Sequence, residues 1–161
     1  MHNTDPDGAV FFSDVNRTLP AKPLSVKWLW PRVIRFFCGA YTHATIGYLP
    51  KDELLSPSSK GSRLWSLAAY ADRYPSIVCG FAVPFREDPH LSELEVPEFN
   101  WVASFLRYWS WGWIDPVDCV GVATAILRSQ GCDIATRVRS PKHLHQILIS
   151  KGYHHVKWQE D

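Results

Sequence analysis

The sequence predicts an α+β fold, a small antiparallel sheet flanked by helices. Three observations lead there. Short runs with strand composition occur at residues 24–30, 41–48, 76–83 and 154–158. Longer runs opened by Pro97 and Pro141, or ended by Gly131 and Gly152, carry the start and stop signals of helices. The composition is that of a globular chain: 161 residues, 46% apolar and 20% charged, enough for one sizeable core.

Taken in order, residues 1–23 are rich in Pro, Asp, Asn and Gly and are expected to form an extended N-terminal arm. Residues 24–161 are expected to form a single domain. Residues 24–30 alternate loosely as a strand, and 32–37 follow Pro31 as a short helix that Gly39 ends. Residues 41–48, Tyr-Thr-His-Ala-Thr-Ile-Gly-Tyr, read as a strand closed by Pro50. The Ser- and Pro-rich stretch 52–62 reads as a loop. Residues 63–70 are ambiguous, and 76–83 read as a buried strand. Pro97 opens a helix with apolar positions Phe99, Val102, Phe105 and Leu106. Residues 109–113 form an aromatic loop. Residues 117–129 form a helix ended by Gly131, Pro141 opens a last helix to 150, and a short strand follows at 154–158.

Composition also excludes several functions. A formal net charge of +1, with no Lys/Arg-rich block, gives no electrostatic case for nucleic acid. The polar N-terminus lacks the apolar core of a signal peptide, and no apolar run reaches the ~18–20 residues that span a bilayer. The four cysteines Cys38, Cys79, Cys119 and Cys132 form no CxxC pair, and no Cys/His spacing suits zinc. The expectation is a chain made in a reducing cytoplasm with free thiols, and with neither cofactor nor metal.

The chemistry-bearing stretch is Asp118-Cys119-Val120-Gly121. It leads straight into the apolar run of a helix. A thiol at the first turn of a helix meets free N–H groups and the positive end of the helix dipole, and both favour thiolate. A cysteine hydrolase also needs a base to hold the proton, a group to orient that base, and donors for the oxyanion. His43, within the strand at 41–48, is the candidate base. Thr45 points to the same side of that strand, because strand side chains repeat with period two, and is the candidate orienting group. Asp118 is the candidate helix cap behind the nucleophile. Trp109 and Trp111 are candidates for lining a substrate pocket.

Trp28-Leu29-Trp30 and Val33-Ile34-Arg35-Phe36-Phe37 precede Thr42-His43-Ala44-Thr45; Tyr108-Trp109-Ser110-Trp111 precede Asp118-Cys119-Val120-Gly121, and Ser140-Pro141 opens the last helix. In that order the motifs resemble the circularly permuted branch of the papain-like (NlpC/P60) superfamily, including its lecithin:retinol acyltransferase-like and small phage members. The resemblance spans roughly residues 28–150, by order of elements more than by identity. It implies a permuted papain-like fold, with Cys119 as nucleophile and His43 as base. The family's third residue is often Glu, and this chain has Thr45, a weaker partner for an imidazolium.

The resemblance further implies a thiol hydrolase or acyltransferase, acting on a cell-wall peptide or a lipid-linked amide or ester, in a phage or bacterial setting. A non-catalytic module on the same fold is the alternative. Such a virion-associated protein would bind neighbouring subunits through residues 1–23 and its exposed aromatics. A third possibility is membrane contact through residues 28–37.

Overall fold

Alternation of apolar and polar residues along short segments builds a sheet with two different faces, and the helices cover both. The computed structural model describes residues 6–14, 36, 41–58, 61–73, 77–98, 101–114, 117–134 and 137–156. Six strands make one open antiparallel sheet: β1 (Gly8–Ser13), β2 (His43–Tyr48), β3 (Glu53–Ser58), β4 (Gly61–Trp65), β5 (Ile77–Val83) and β6 (His154–Val156), in the order β4-β3-β2-β1-β5-β6. Four α-helices are present among the described residues: α1 (Leu67–Arg73), α2 (Trp101–Trp109), α3 (Cys119–Ser129) and α4 (Pro141–Ser150). The fold is α+β.

The first correction concerns the arm. Gly8–Ser13 is not part of an extended leader. It is an interior strand paired on both sides, Phe12 with Ala44 on β2 and with Cys79 on β5. The run Ala9-Val10-Phe11-Phe12 is buried on both faces, as an interior strand requires, and every member is at most 2% exposed. Its Pro- and Asp-rich flanks hid a run only four residues long. The strand expected at 24–30 and most of the helix expected at 32–37 lie outside the described residues.

The second correction concerns 52–62. This stretch holds β3 and the start of β4, joined as a hairpin in which Leu55 opposes Leu64. Pro57 fits because the pairing of β3 with β2 ends at Leu55, so its missing N–H removes no bond on that side. The β2–β3 connection turns at Leu49–Lys51 and leaves through Asp52, whose φ of 52° is left-handed. The Asp52 carboxylate then accepts the backbone N–H of Leu67, tying the start of α1 to the hairpin.

One face of the sheet carries Val10, Phe12, Ala44, Ile46, Leu55, Phe81 and Val83, and packs against Val120, Ala123 and Leu127 of α3 and Leu144 and Leu148 of α4. This is the larger core. The opposite face carries Ala9, Phe11 and Leu54, covered by Tyr70 of α1 with Trp65 and Leu67. Alternation therefore sorts β2 cleanly: Ala44 and Ile46 face α3, whereas His43, Thr45 and Gly47 face α1.

The direction of α3 follows from its far end. Gln130 Oε1 accepts the backbone N–H groups of Arg86 and Glu87 at 3.0 and 3.1 Å, just beyond the end of β5. Gly8 pairs with both Val83 and Tyr48, so that end of β5 lies level with the end of β2. The helix packs against β2 and β3, and its N-terminus lies about 16 Å from Gln130 along its axis.

Because β1 is hydrogen-bonded to two neighbours, deletion of residues 1–13 is expected to abolish the cooperative urea transition seen by circular dichroism. A dispensable arm would leave the midpoint unchanged.

Candidate functional site

Asp118 is the N-cap of α3. Its carboxylate accepts the N–H of Gly121 at 2.7 Å, one of the donors that a helix start leaves unpaired. The same carboxylate is gripped by Arg107 of α2, whose Nε donates to Oδ1 at 3.0 Å and Oδ2 at 3.1 Å. Both residues are buried, at 2% and 1% exposure. Arg107 also donates through Nη1 to the carbonyl of Val138 at 3.2 Å. One guanidinium thus joins the end of α2, the cap of α3 and the segment 137–139.

Cys119 is the first residue of α3 and is buried in the larger core. His43 is the first residue of β2, and its ring lies on the face away from the larger core, so strand alternation sets the two expected partners on opposite faces of the sheet. Through Nε2, the His43 ring meets Ser56 Oγ on β3 at 3.0 Å. Burial pushes its pKa down to about 4, so the ring is neutral at pH 7.

Thr45 is not the partner of His43. Its hydroxyl is 2.7 Å from Tyr70 Oη, in the smaller core. Ser56 occupies the orienting position instead, and the loop composition of residues 52–62 conceals it in the sequence. The signal was the hairpin itself. Pairing Ile46 with Leu55 puts Ser56 opposite Thr45 and diagonal to His43.

Like Cys119, Cys79 and Cys132 are buried and outside any disulfide. Burial pushes Cys79 up to about 11 and raises Cys132. Cys38 lies outside the described residues. The described residues hold no group of three or more His, Cys, Asp or Glu that would suit a metal ion.

Trp109 and Trp111 are exposed, at 62% and 66%, and Trp113 at 70%. Trp109 is the last residue of α2 and the other two follow it, where the N–H of Gly112 bonds the carbonyl of Arg107 and that of Trp111 bonds the carbonyl of Tyr108. This pair of bonds is a Schellman helix end, and its left-handed position, usually Gly, is filled by Trp111 at φ 56°. Gly112, at φ 78°, comes so close to the Arg137 backbone that a Cβ would sit 3.3 Å from it. Arg137 stacks on Trp113 at 3.3 Å and Arg139 on Trp111 at 4.5 Å. Val138, between them, points inward at 1% exposure.

No family model, no curated protein and no solved structure matches the chain. No helix among the described residues is long and apolar enough to cross a membrane.

Two outcomes follow from this geometry. Arg107→Ala leaves the Asp118 carboxylate buried without its cation, and stability is expected to fall by about 3–5 kcal/mol in urea denaturation. For His43, the folded pKa of about 4 lies below the ordinary 6.5. Above pH 6.5 the ring is neutral in both states, and its contribution to stability is fully present. As pH falls from 6.5 to about 4, the unfolded chain takes up a proton that the folded chain refuses, and at most about 3 kcal/mol is lost. Urea midpoints measured across that window should fall more in the wild type than in His43→Gln.

Proposed function

We propose that the chain is a thiol hydrolase or acyltransferase that cleaves an amide or ester, with Cys119 as nucleophile in a permuted papain-like arrangement. The observation that carries this reading is the position of Cys119. It opens a helix whose cap is clamped by a buried arginine, and that helix packs against β2, the strand that His43 opens. Cys119 sulfur attacks the carbonyl carbon while the backbone N–H at the helix start steadies the oxyanion. His43 takes the thiol proton and delivers it to the leaving group, leaving an acyl-enzyme. Water resolves that intermediate in a hydrolase, and an acceptor nucleophile resolves it in a transferase.

Neutral His43 is in the protonation state a base requires. Because the ring and Cys119 lie on opposite faces of the sheet, catalysis on this reading requires the first residue of β2 to leave its pairing with Ser13 so that the ring passes to the α3 side. Ser56, rather than Thr45, holds it when it is not engaged. The substrate classes proposed are cell-wall peptides and lipid-linked amides or esters, in a phage or bacterial setting.

A second reading is favoured by one observation, the His43–Ser56 contact on the face away from α3. On that reading the chain is a non-catalytic binding module, such as a virion-associated protein. It binds neighbouring subunits through its aromatic surface, and β1 takes no part because it is committed to the sheet.

Alkylation by iodoacetamide across pH separates the two. In an enzyme, Cys119 reacts with an apparent pKa well below the ~8.5 of a free thiol. His43→Ala removes that shift, while Cys79 and Cys132 react slowly throughout. If Cys119 reacts no faster than Cys79, with or without His43, the catalytic reading fails and the binding module stands.

A further inference from the structure

We propose that the aromatic and arginine face formed by α2, the loop after it and residues 137–139 docks on the surface of an anionic phospholipid bilayer. On α2, Val102, Leu106 and Trp109 repeat at i, i+4 and i+7 and are exposed at 38%, 44% and 62%. That is an apolar stripe turned to solvent, and it runs into the exposed indoles of Trp111 and Trp113. Scattered exposed apolar residues need no explanation, but a helix stripe continuing into two further tryptophans does.

The charge of this face identifies its occupant. Arg137 and Arg139 lie against the indoles, and neither guanidinium forms an ion pair with a carboxylate among the described residues. Tryptophan rings with arginines beside them match the boundary of an anionic bilayer, where indoles sit at headgroup level and guanidiniums meet phosphate. A stacked sugar or base is a poorer match, since one face of each of two indoles already carries a guanidinium. The backbone shows the same investment. Trp111 holds a left-handed position that suits glycine, and a large exposed side chain kept in such a conformation points to a use for that side chain.

The face is separate from the Cys119 chemistry, and docking does not depend on it. It does place the start of α3 beside the bilayer, because Asp118 and the strip that carries Arg137 and Arg139 are held by the same Arg107.

The test is flotation of the purified chain with vesicles of phosphatidylcholine alone and of phosphatidylcholine with phosphatidylglycerol. The expected result is co-flotation with the anionic vesicles only, weakened by salt. Arg137→Glu with Arg139→Glu lowers the partition coefficient by more than about fivefold per arginine. Trp111→Gly, which the left-handed backbone accepts, keeps the far-ultraviolet circular dichroism of the wild type and weakens flotation. Cys119→Ala floats like the wild type, whatever becomes of the hydrolase reading. The proposal is overturned if the wild type stays in the soluble fraction at every lipid concentration, or if binding is equal on neutral vesicles or unchanged in the arginine variant. A concentration-dependent dimer that Trp111→Gly dissociates, without flotation, also overturns it and assigns the face to a second copy of the chain.

Discussion

The buried ion pair between Arg107 and Asp118 is the constraint on which the functional half of the molecule rests. Two charges removed from water are tolerable only when they are paired and hydrogen-bonded, and here both are. Arg107 is held by both carboxylate oxygens and by the carbonyl of Val138, and Asp118 is held by Arg107 and by the N–H of Gly121. The pair joins three pieces of chain. These are the end of α2, the start of α3, and the strip that carries Arg137 and Arg139. Apolar packing alone does not fix orientation, and a buried guanidinium whose Nε is shared between both carboxylate oxygens does.

The two sheet faces divide the remaining work. The face under α3 and α4 is broad and dry, and it supplies most of the buried apolar surface. The face under α1 is narrower and holds two polar contacts within it, His43 with Ser56 and Thr45 with Tyr70. Placing polar residues at alternate positions of β2 leaves the larger core entirely apolar at that strand. It also keeps the imidazole neutral, since burial disfavours its charged form.

Elements with strong local signals were legible in the sequence. α3 announces itself by Asp118 as cap, the apolar stripe after it and Gly131 beyond its end, and α4 by the Ser140-Pro141 start. The strand at 76–83 was legible from its unbroken apolar run. What escaped was decided by pairing at a distance. β1 is short and flanked by turn-forming residues, so nothing local marks it as interior until β2 and β5 are set beside it. β3 looks like a loop because Ser56, Pro57 and Ser58 have loop composition, and the hairpin register overrides that preference. The candidate site split in the same way. The setting of Cys119 is local and was readable. The partner of His43 depends on which residue of the next strand lies diagonally across, and that is fixed by the length of a turn.

The position of β1 also shapes how the chain assembles during synthesis. Its partner β2 emerges about thirty residues later and β5 about seventy residues later, and α3 and α4, which cover the larger face, follow both. The interior strand thus precedes its cover by about a hundred residues. The apolar run Ala9-Val10-Phe11-Phe12 waits uncovered on the ribosome while those residues are made, which is the situation in which strand edges recruit wrong partners. The larger face is covered only when α3 and α4 arrive, so folding is expected to be slow, as non-local pairings dictate.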